Sequence, residues 1–196
     1  MTGTLPDSCL DQLFGSARTH NVWREQDVPD TLLHEIIDLA KLGPTSANCS
    51  PARFLFLKSR AAKERLKPHL DEGNRDKTMK APVCTIIGYD LDFYHHLPKL
   101  FPHANAKSWF AGKEEKKFDT AFRNGTLQGA YLIMAARALG LDCGPMSGFN
   151  NKGVDRDFFA GTNVRSNFLC NLGFGDGGGL RPRSPRFRFD EMAEIL

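Results

Sequence analysis

From Phe118 onward this 196-residue chain carries a segment with few possible placements. Ala121, Phe122, Gly125, Gly129, Leu132, Ile133 and Ala136 form one stripe at helical spacing, and Leu127, Ala130, Tyr131, Met134 and Ala138 form a second. A helix apolar around most of its circumference is stable only inside a structure, with other elements packed about it. Gly140 ends the run, as glycine does at helix C-termini.

The rest of the chain supplies those elements. Leu5 to Ala17 reads as a short helix with Leu10, Leu13 and Phe14 on one side, followed by a polar loop over 18–24. Pro29 and Asp30 open a helix whose Leu32, Leu33, Ile36, Ile37 and Ala40 keep helical spacing, and Gly43-Pro44 stops it. Arg53–Lys58 and Val83–Tyr89 read as buried strands, with a charged helix over 60–70 weakened by Pro68 and a loop at 73–77 between them. Residues 91–116 hold no single period and form an excursion over the core. After the central helix come a short strand and tight turn over 141–149, a short helix over 152–160, a strand over Asn167–Phe174, a Gly/Pro/Arg segment and a last amphipathic turn over Asp190–Leu196. Helices alternating with strands indicate a three-layer α/β or α+β domain. With 41% hydrophobic and 25% charged residues the chain can bury a core, and residues 1–196 make a single domain.

A net charge of +3 is too small and too scattered for a nucleic-acid surface, though it permits one bound anion. No window holds the roughly 20 apolar residues of a membrane span, and Met1–Leu5 starts no signal peptide, so the expectation is a soluble cytoplasmic protein without a membrane partner. Five widely spaced cysteines without a C-x-x-C pair suggest core thiols rather than a disulfide framework or zinc site.

Several constellations lack their required context. Gly173-Phe-Gly-Asp-Gly-Gly178 satisfies G-x-G-x-x-G, yet no helix follows to hold a pyrophosphate. His95, His96 and His103 have no carboxylate or cysteine at ligand spacing, so no metal is expected. Gly144-Pro-Met-Ser147-Gly148 is G-x-x-S-G rather than the G-x-S-x-G of a nucleophile elbow, and Cys49 reads as a buried thiol before it reads as a nucleophile. What remains are polar loops at 18–24, 44–50, 73–77, 144–149 and 181–186, which offer hydroxyls, amides and guanidinium forks. Each alone is an ordinary turn; together they carry the chemistry that holds a planar heterocycle with a phosphate tail.

Longer strings sharpen this: Ala17-Arg-Thr-His-Asn-Val-Trp-Arg24, Gly43-Pro-Thr-Ser-Ala-Asn-Cys-Ser-Pro-Ala-Arg53, Leu100-Phe-Pro-His103 with Ser108-Trp-Phe110, Thr120-Ala-Phe-Arg-Asn124, and Ala138-Leu-Gly-Leu-Asp-Cys-Gly-Pro-Met-Ser-Gly-Phe149. On these the chain resembles the FMN-dependent nitroreductase family over nearly its full length, and within it is most similar to the malonic semialdehyde reductase branch associated with uracil degradation. The resemblance implies an α+β fold, a three-layer α/β/α sandwich with a mixed central sheet flanked by helices, in an intertwined homodimer with FMN at the interface. It implies that Arg18, Thr19 and Asn21 hold the phosphate and ribityl chain, with Asn21 standing where relatives carry a second basic residue. Pro44, Thr45, Ser46 and Asn48 correspond to the loop beside the flavin, and Asn74 and Lys77 to the pair at the pyrimidine edge. Pro145, Ser147 and Gly148 match the turn that offers backbone N–H to flavin N5, with Ser147 where many relatives have Glu, and Arg181 and Arg183 match the phosphate clamp.

The implied chemistry is a ping-pong reaction in which NADH or NADPH reduces FMN and a small-molecule acceptor is reduced in turn, with no side chain required as acid or base. The branch suggests 3-oxopropanoate, reduced to 3-hydroxypropanoate, as acceptor. Its carboxylate would be met by Arg53, Arg123 or His103, while Phe101, Trp109 and Phe110 serve as a lid or as interface packing. A general nitro or quinone reductase, a non-catalytic flavin-binding module and a flavin-free structural dimer are the alternatives.

Overall fold

The computed structural model describes residues 3–196. A short helix α1 (Asp7–Leu10) continues into a π-helical turn at Asp11–Gly15, closed by the Ser16 amide on the Asp11 carbonyl at 2.8 Å. Then follow α2 (Asp30–Ala40), β1 (Ala52–Leu57), α3 (Arg60–Leu66), α4 (Glu72–Lys80), β2 (Val83–Asp90), α5 (Leu97–Leu100), α6 (Glu114–Ala138), β3 (Asp142–Met146), α7 (Asn151–Phe158), β4 (Val164–Gly173) and α8 (Phe189–Met192).

The strands form one sheet in the order β1-β2-β4-β3, antiparallel in every pairing. The sheet is therefore antiparallel where a mixed one is expected, and the parallel bridge of Thr19 to Cys143 is an isolated one from the segment before α2. β2 is buried at all eight residues because helices cover both faces, the condition that selects a continuous apolar run over an alternating one. Val83 and Ile87 point into a core with Leu33 and Ile36 of α2 and Leu132 and Ala136 of α6, while Cys84 and Ile86 point into a second core with Leu66 of α3 and Val154 of α7. Those two cores define the three layers. A third cluster, with Phe93, Leu97, Phe110 and Ala121, sits under the excursion over 91–113.

α6 is the element on which the other layers close. Its Gly129 faces the Phe168 ring so closely that a Cβ would come within 2.6 Å, and one at Gly125 would meet the Tyr89 Cβ at 2.8 Å. Glycine here lets helix and sheet approach, outweighing its poor helix propensity. The helix starts four residues before the apolar run, with Glu114 and Glu115 in its first turn, where carboxylates suit the helix dipole. Among the described residues no helix is long and apolar enough to cross a membrane.

One element departs from the sequence reading: 73–77 is not a loop but the middle of α4. This helix buries only Thr78 and so shows no apolar period. Tertiary bonds specify it instead. Asn74 Nδ2 donates to the Gly148 carbonyl at 2.7 Å, and Lys63 Nζ donates to the Met79 and Ala81 carbonyls at 3.1 and 2.7 Å, satisfying the C-terminal end.

Candidate functional site

The segment 18–24 is held at the end of the sheet. His20 N donates to the Cys143 carbonyl at 3.0 Å, Arg24 N to the Phe174 carbonyl at 2.8 Å, and Asp176 N to the Val22 carbonyl at 3.0 Å. The His20 ring, 6% exposed, places Nε2 3.2 Å from Asp142 Oδ1, and the other Asp142 oxygen accepts the Gly175 amide at 2.8 Å. This clasp ties the N-terminal segment, the start of β3 and the exit of β4 into one piece.

Its consequence is a meeting of arginines. Arg18 Nη2 donates to the Arg181 carbonyl, and Arg183 Nη2 donates to the carbonyls of Gly15 and Ala17 at 2.5 and 3.0 Å. Arg18, Arg137, Arg181, Arg183 and Arg186 line a cavity of about 540 Å³ with Thr19, Asn21 and Ser184, and no carboxylate lines it. Among the described residues none of these five arginines forms an ion pair. A concave site of guanidinium groups without counter-charges suits a phosphate dianion.

Asn21 also borders a hollow of about 320 Å³ with Val22, Gly73 and Lys77. Burial lowers the Lys77 ammonium below its ordinary pKa. Asn74, one helical turn before Lys77, uses Nδ2 on the Gly148 carbonyl and keeps Oδ1 as an acceptor, and Gly148 O also takes the Asp71 amide at 3.1 Å. Among the described residues the amides of Ser147 and Gly148 have no protein acceptor. Arg18, Thr19, Asn21, Arg181 and Arg183 thus line one cavity, Asn21 also borders the Lys77 hollow, and Asn74 in the same helical turn ties that hollow to Gly148.

The remaining expected residues lie elsewhere. Pro44, Thr45, Ser46 and Asn48 precede β1, beside the Tyr89 end of β2, whereas Thr19 meets Cys143 at the opposite end and across the sheet. Ser46 N donates to Asn124 Oδ1 at 2.8 Å, while Arg137 lines the arginine cavity. Thirteen residues of α6 separate them, about 20 Å at 1.5 Å per residue. One chain thus does not bring the two groups together.

This second group has its own construction. Ala47, Asn48 and Ser50 adopt left-handed φ of 50°, 51° and 39°, conformations that non-glycine residues hold only when surroundings impose them. Asn124 (1% exposed) fixes the Ser46 amide, Gln128 (5%) accepts the Ala52 amide at 2.9 Å, and Asn48 Nδ2 donates to the Leu100 carbonyl at 2.9 Å. His103 and Trp109 flank this loop through Phe101, at ring separations of 5.6 and 6.0 Å.

Two sequence readings change here, those of Phe110 and Arg53, while that of Cys49 as a buried thiol holds. Phe110 is 4% exposed and packs edge-on to Phe93 at 4.9 Å, so it supports the excursion and is no contact surface for a substrate. Arg53 Nη2 pairs with Asp90 Oδ2 at 2.6 Å, which neutralises it as a receptor for a carboxylate. The Cys49 thiol is pushed up to about 11 by burial and stays protonated, unlike a reactive cysteine.

Sequence reading missed Asn124 and Gln128 as determinants of the 44–50 loop, although two amides four residues apart in an apolar helix mark one buried polar face. It also missed the His20–Asp142–Gly175 clasp, whose partners lie far apart in the chain.

Residues 17–174 match the model of the nitroreductase family. A Burkholderia lata protein named as a candidate NADH dehydrogenase/NAD(P)H nitroreductase is 67% identical over 192 residues, 98% of each chain. A protein of the same description from Stenotrophomonas maltophilia is 60% identical over 195 residues, 100% of each chain. Among solved structures, a candidate nitroreductase of Bacillus subtilis superposes with a TM-score of 0.86 at 20% identity, covering 97% of this chain and 100% of that one. A candidate nitroreductase from Exiguobacterium sibiricum, in complex with FMN, gives 0.83 at 18% identity, covering 100% and 99%. At these identities the structural likeness concerns the fold.

Proposed function

The chain belongs to the nitroreductase family, and from that premise we propose that it is an FMN-dependent NAD(P)H oxidoreductase reducing a small aldehyde, 3-oxopropanoate, to 3-hydroxypropanoate. The observation that carries the cofactor is the arginine cavity continuing past Asn21 to Lys77, Asn74 and the 145–148 turn. The donor set fits FMN from end to end. Arg18, Arg181 and Arg183 offer forked donors to the phosphate, and Thr19 and Asn21 border the path between phosphate and ring.

FMN held by these residues would supply hydride transfer between the nicotinamide and the acceptor in two half-reactions. The chain's own groups orient and polarise. Asn74 Oδ1 would accept from a ring N–H, and Lys77, lacking any carboxylate partner among the described residues, would stabilise negative charge at the pyrimidine edge. The amides of Ser147 and Gly148, unpartnered among the described residues, would be the donors to the ring's reactive edge.

The loop at 44–50 completes the site from a second copy of the chain, since within one chain it stands about 20 Å away along α6. A homodimer is supported by the apolar residues left exposed on α6, Phe118, Phe122, Leu127 and Tyr131, and in the tail, Phe187, Phe189, Met192 and Ile195. His103 and Trp109 beside that loop then face the acceptor, and Arg123, next to Asn124 on α6, forms no ion pair among the described residues. The names of the close relatives favour a second reading, a broader nitro or quinone reductase on the same site.

Anaerobic stopped-flow mixing decides between them. Flavin bleached by NADH or NADPH should be reoxidised by 3-oxopropanoate with kcat/KM well above that for nitroaromatics and quinones. The reverse order selects the broader reductase; failure of both nucleotides to bleach the flavin reduces the protein to a binding module; a chain that takes up no FMN overturns the cofactor assignment.

A further inference from the structure

We propose that Arg137 is a phosphate-binding residue, the fixed cation about which the two arginine-bearing ends of the chain close; this rests on reading the arginine cavity as the cofactor's phosphate site. Of the five arginines lining that cavity, Arg18 lies in the segment after the π-helical turn, and Arg181, Arg183 and Arg186 lie in a tail exposed to solvent. Arg137 alone stands on a long helix, in the last turn of α6, beside Ala135 and Ala136 in the core. Its position is therefore set before any ligand arrives.

Its bonds leave donors over. Nη1 donates to the Leu13 carbonyl at 3.2 Å, while Nε is buried with no acceptor in the protein. A buried charged donor without an acceptor is unfavourable unless something else satisfies it. Gln12 Nε2 reaches the carbonyls of Arg137 and Ala138 at 2.8 and 3.3 Å, so the helix end and the N-terminal turn are fixed to each other from both sides. Asp11 and Asp142 border the adjoining hollow that Arg137 also lines, yet neither pairs with it. The guanidinium stays without a counter-ion next to three others whose placement depends on the tail folding back onto Gly15, Ala17 and Arg18. An anion held by Arg137 would draw these groups inward.

A cation in the last turn of a helix also suits the helix dipole, and the Leu13 tether supports the N-terminal turn. Those structural roles do not distinguish a phosphorylated flavin from an unphosphorylated one. The test therefore compares FMN with riboflavin, by quenching of flavin fluorescence on the full chain freed of flavin. Arg137→Gln should weaken FMN by about tenfold or more and leave riboflavin within about twofold. Arg137→Lys, which restores charge but not the planar fork, should recover part of the loss, and it serves alone if Arg137→Gln fails to fold. Equal weakening of both flavins, or of neither, overturns the assignment. Arg183→Ala separates the two levels of inference. If it selectively weakens FMN while Arg137→Gln does not, only Arg137 loses its role. If neither variant distinguishes FMN from riboflavin, the cavity is not the phosphate site.

Discussion

Gly175 packs against the buried ring of His20 so closely that a Cβ there would lie 2.0 Å from Nδ1. The same glycine's amide bonds to Asp142, which in turn faces His20 Nε2. Gly175→Ala must therefore displace either the ring or the exit of β4, and should cost about 1–3 kcal/mol of stability. Gly177→Ala, with open space around it, should cost far less. Urea unfolding of the two variants checks this; equal midpoints would show that the clasp tolerates a methyl group.

Arg183 bonds to the carbonyls of Gly15 and Ala17 and lines the arginine cavity. Arg183→Ala should lower FMN affinity by about tenfold or more and leave the proposed dimer intact, because the side chain faces the cavity. Flavin titration alongside sedimentation velocity reads both; unchanged FMN affinity removes the phosphate role.

Asn124 accepts the Ser46 amide from inside α6, beneath a loop with three left-handed residues. Asn124→Ala leaves that amide without its acceptor and should destabilise the chain by about 1–3 kcal/mol. Because the same loop is proposed to complete the neighbouring copy's site, kcat should fall with it. A variant with wild-type stability and kcat would show that the loop holds its shape without this bond.

The thiols give a chemical readout of burial. Cys49, Cys84, Cys143 and Cys170 are buried and Cys9 is half-buried. Burial pushes Cys49 to about 11 and Cys84 to about 12, and the adjacent Cys143 thiol, with burial, holds Cys170 well above its ordinary value. At a pH of about 8 a disulfide reagent should label only Cys9 rapidly, the others reacting upon unfolding. Rapid labelling of more than one thiol in the folded protein would contradict the packing.

His69 Nε2 lies 2.6 Å from Asp157 Oδ2 and, with Arg156, holds the Asp157 carboxyl below its ordinary 3.8. A depressed folded value means that the stabilisation is complete above the unfolded value near 3.8 and disappears as pH falls through the lower folded value. Wild type should therefore lose more stability than Asp157→Asn as the pH drops from about 5 to below 3.8. Parallel losses in acid denaturation would rule out this linkage.

Elements with an apolar period were legible before the tertiary structure. α2, β1, β2 and α6 announce themselves through spacing alone, because each must bury a face and its residues repeat at the period of its backbone. α4 did not, since it buries a single residue and is specified by partners as distant in sequence as Gly148. β4 extends three residues before the Asn167 start read from sequence, because pairing with Gly88–Asp90 of β2 recruits Val164, Arg165 and Ser166, where two polar residues interrupt any apolar run.

Residue types and strings determined much of the chemistry: arginines at both ends, the small polar loop at 44–50, the Pro-Met-Ser-Gly turn at 145–148, and with them the family. Only the tertiary structure decided which of these share a surface. It joined Arg18 to Arg181 and Arg183 through the His20 clasp and added Arg137, while α6 carried the 44–50 loop to the far end of the sheet. The physical reason is that side-chain chemistry is a property of each residue, whereas proximity across more than a hundred residues is fixed by the register of strands and the length of one rigid helix.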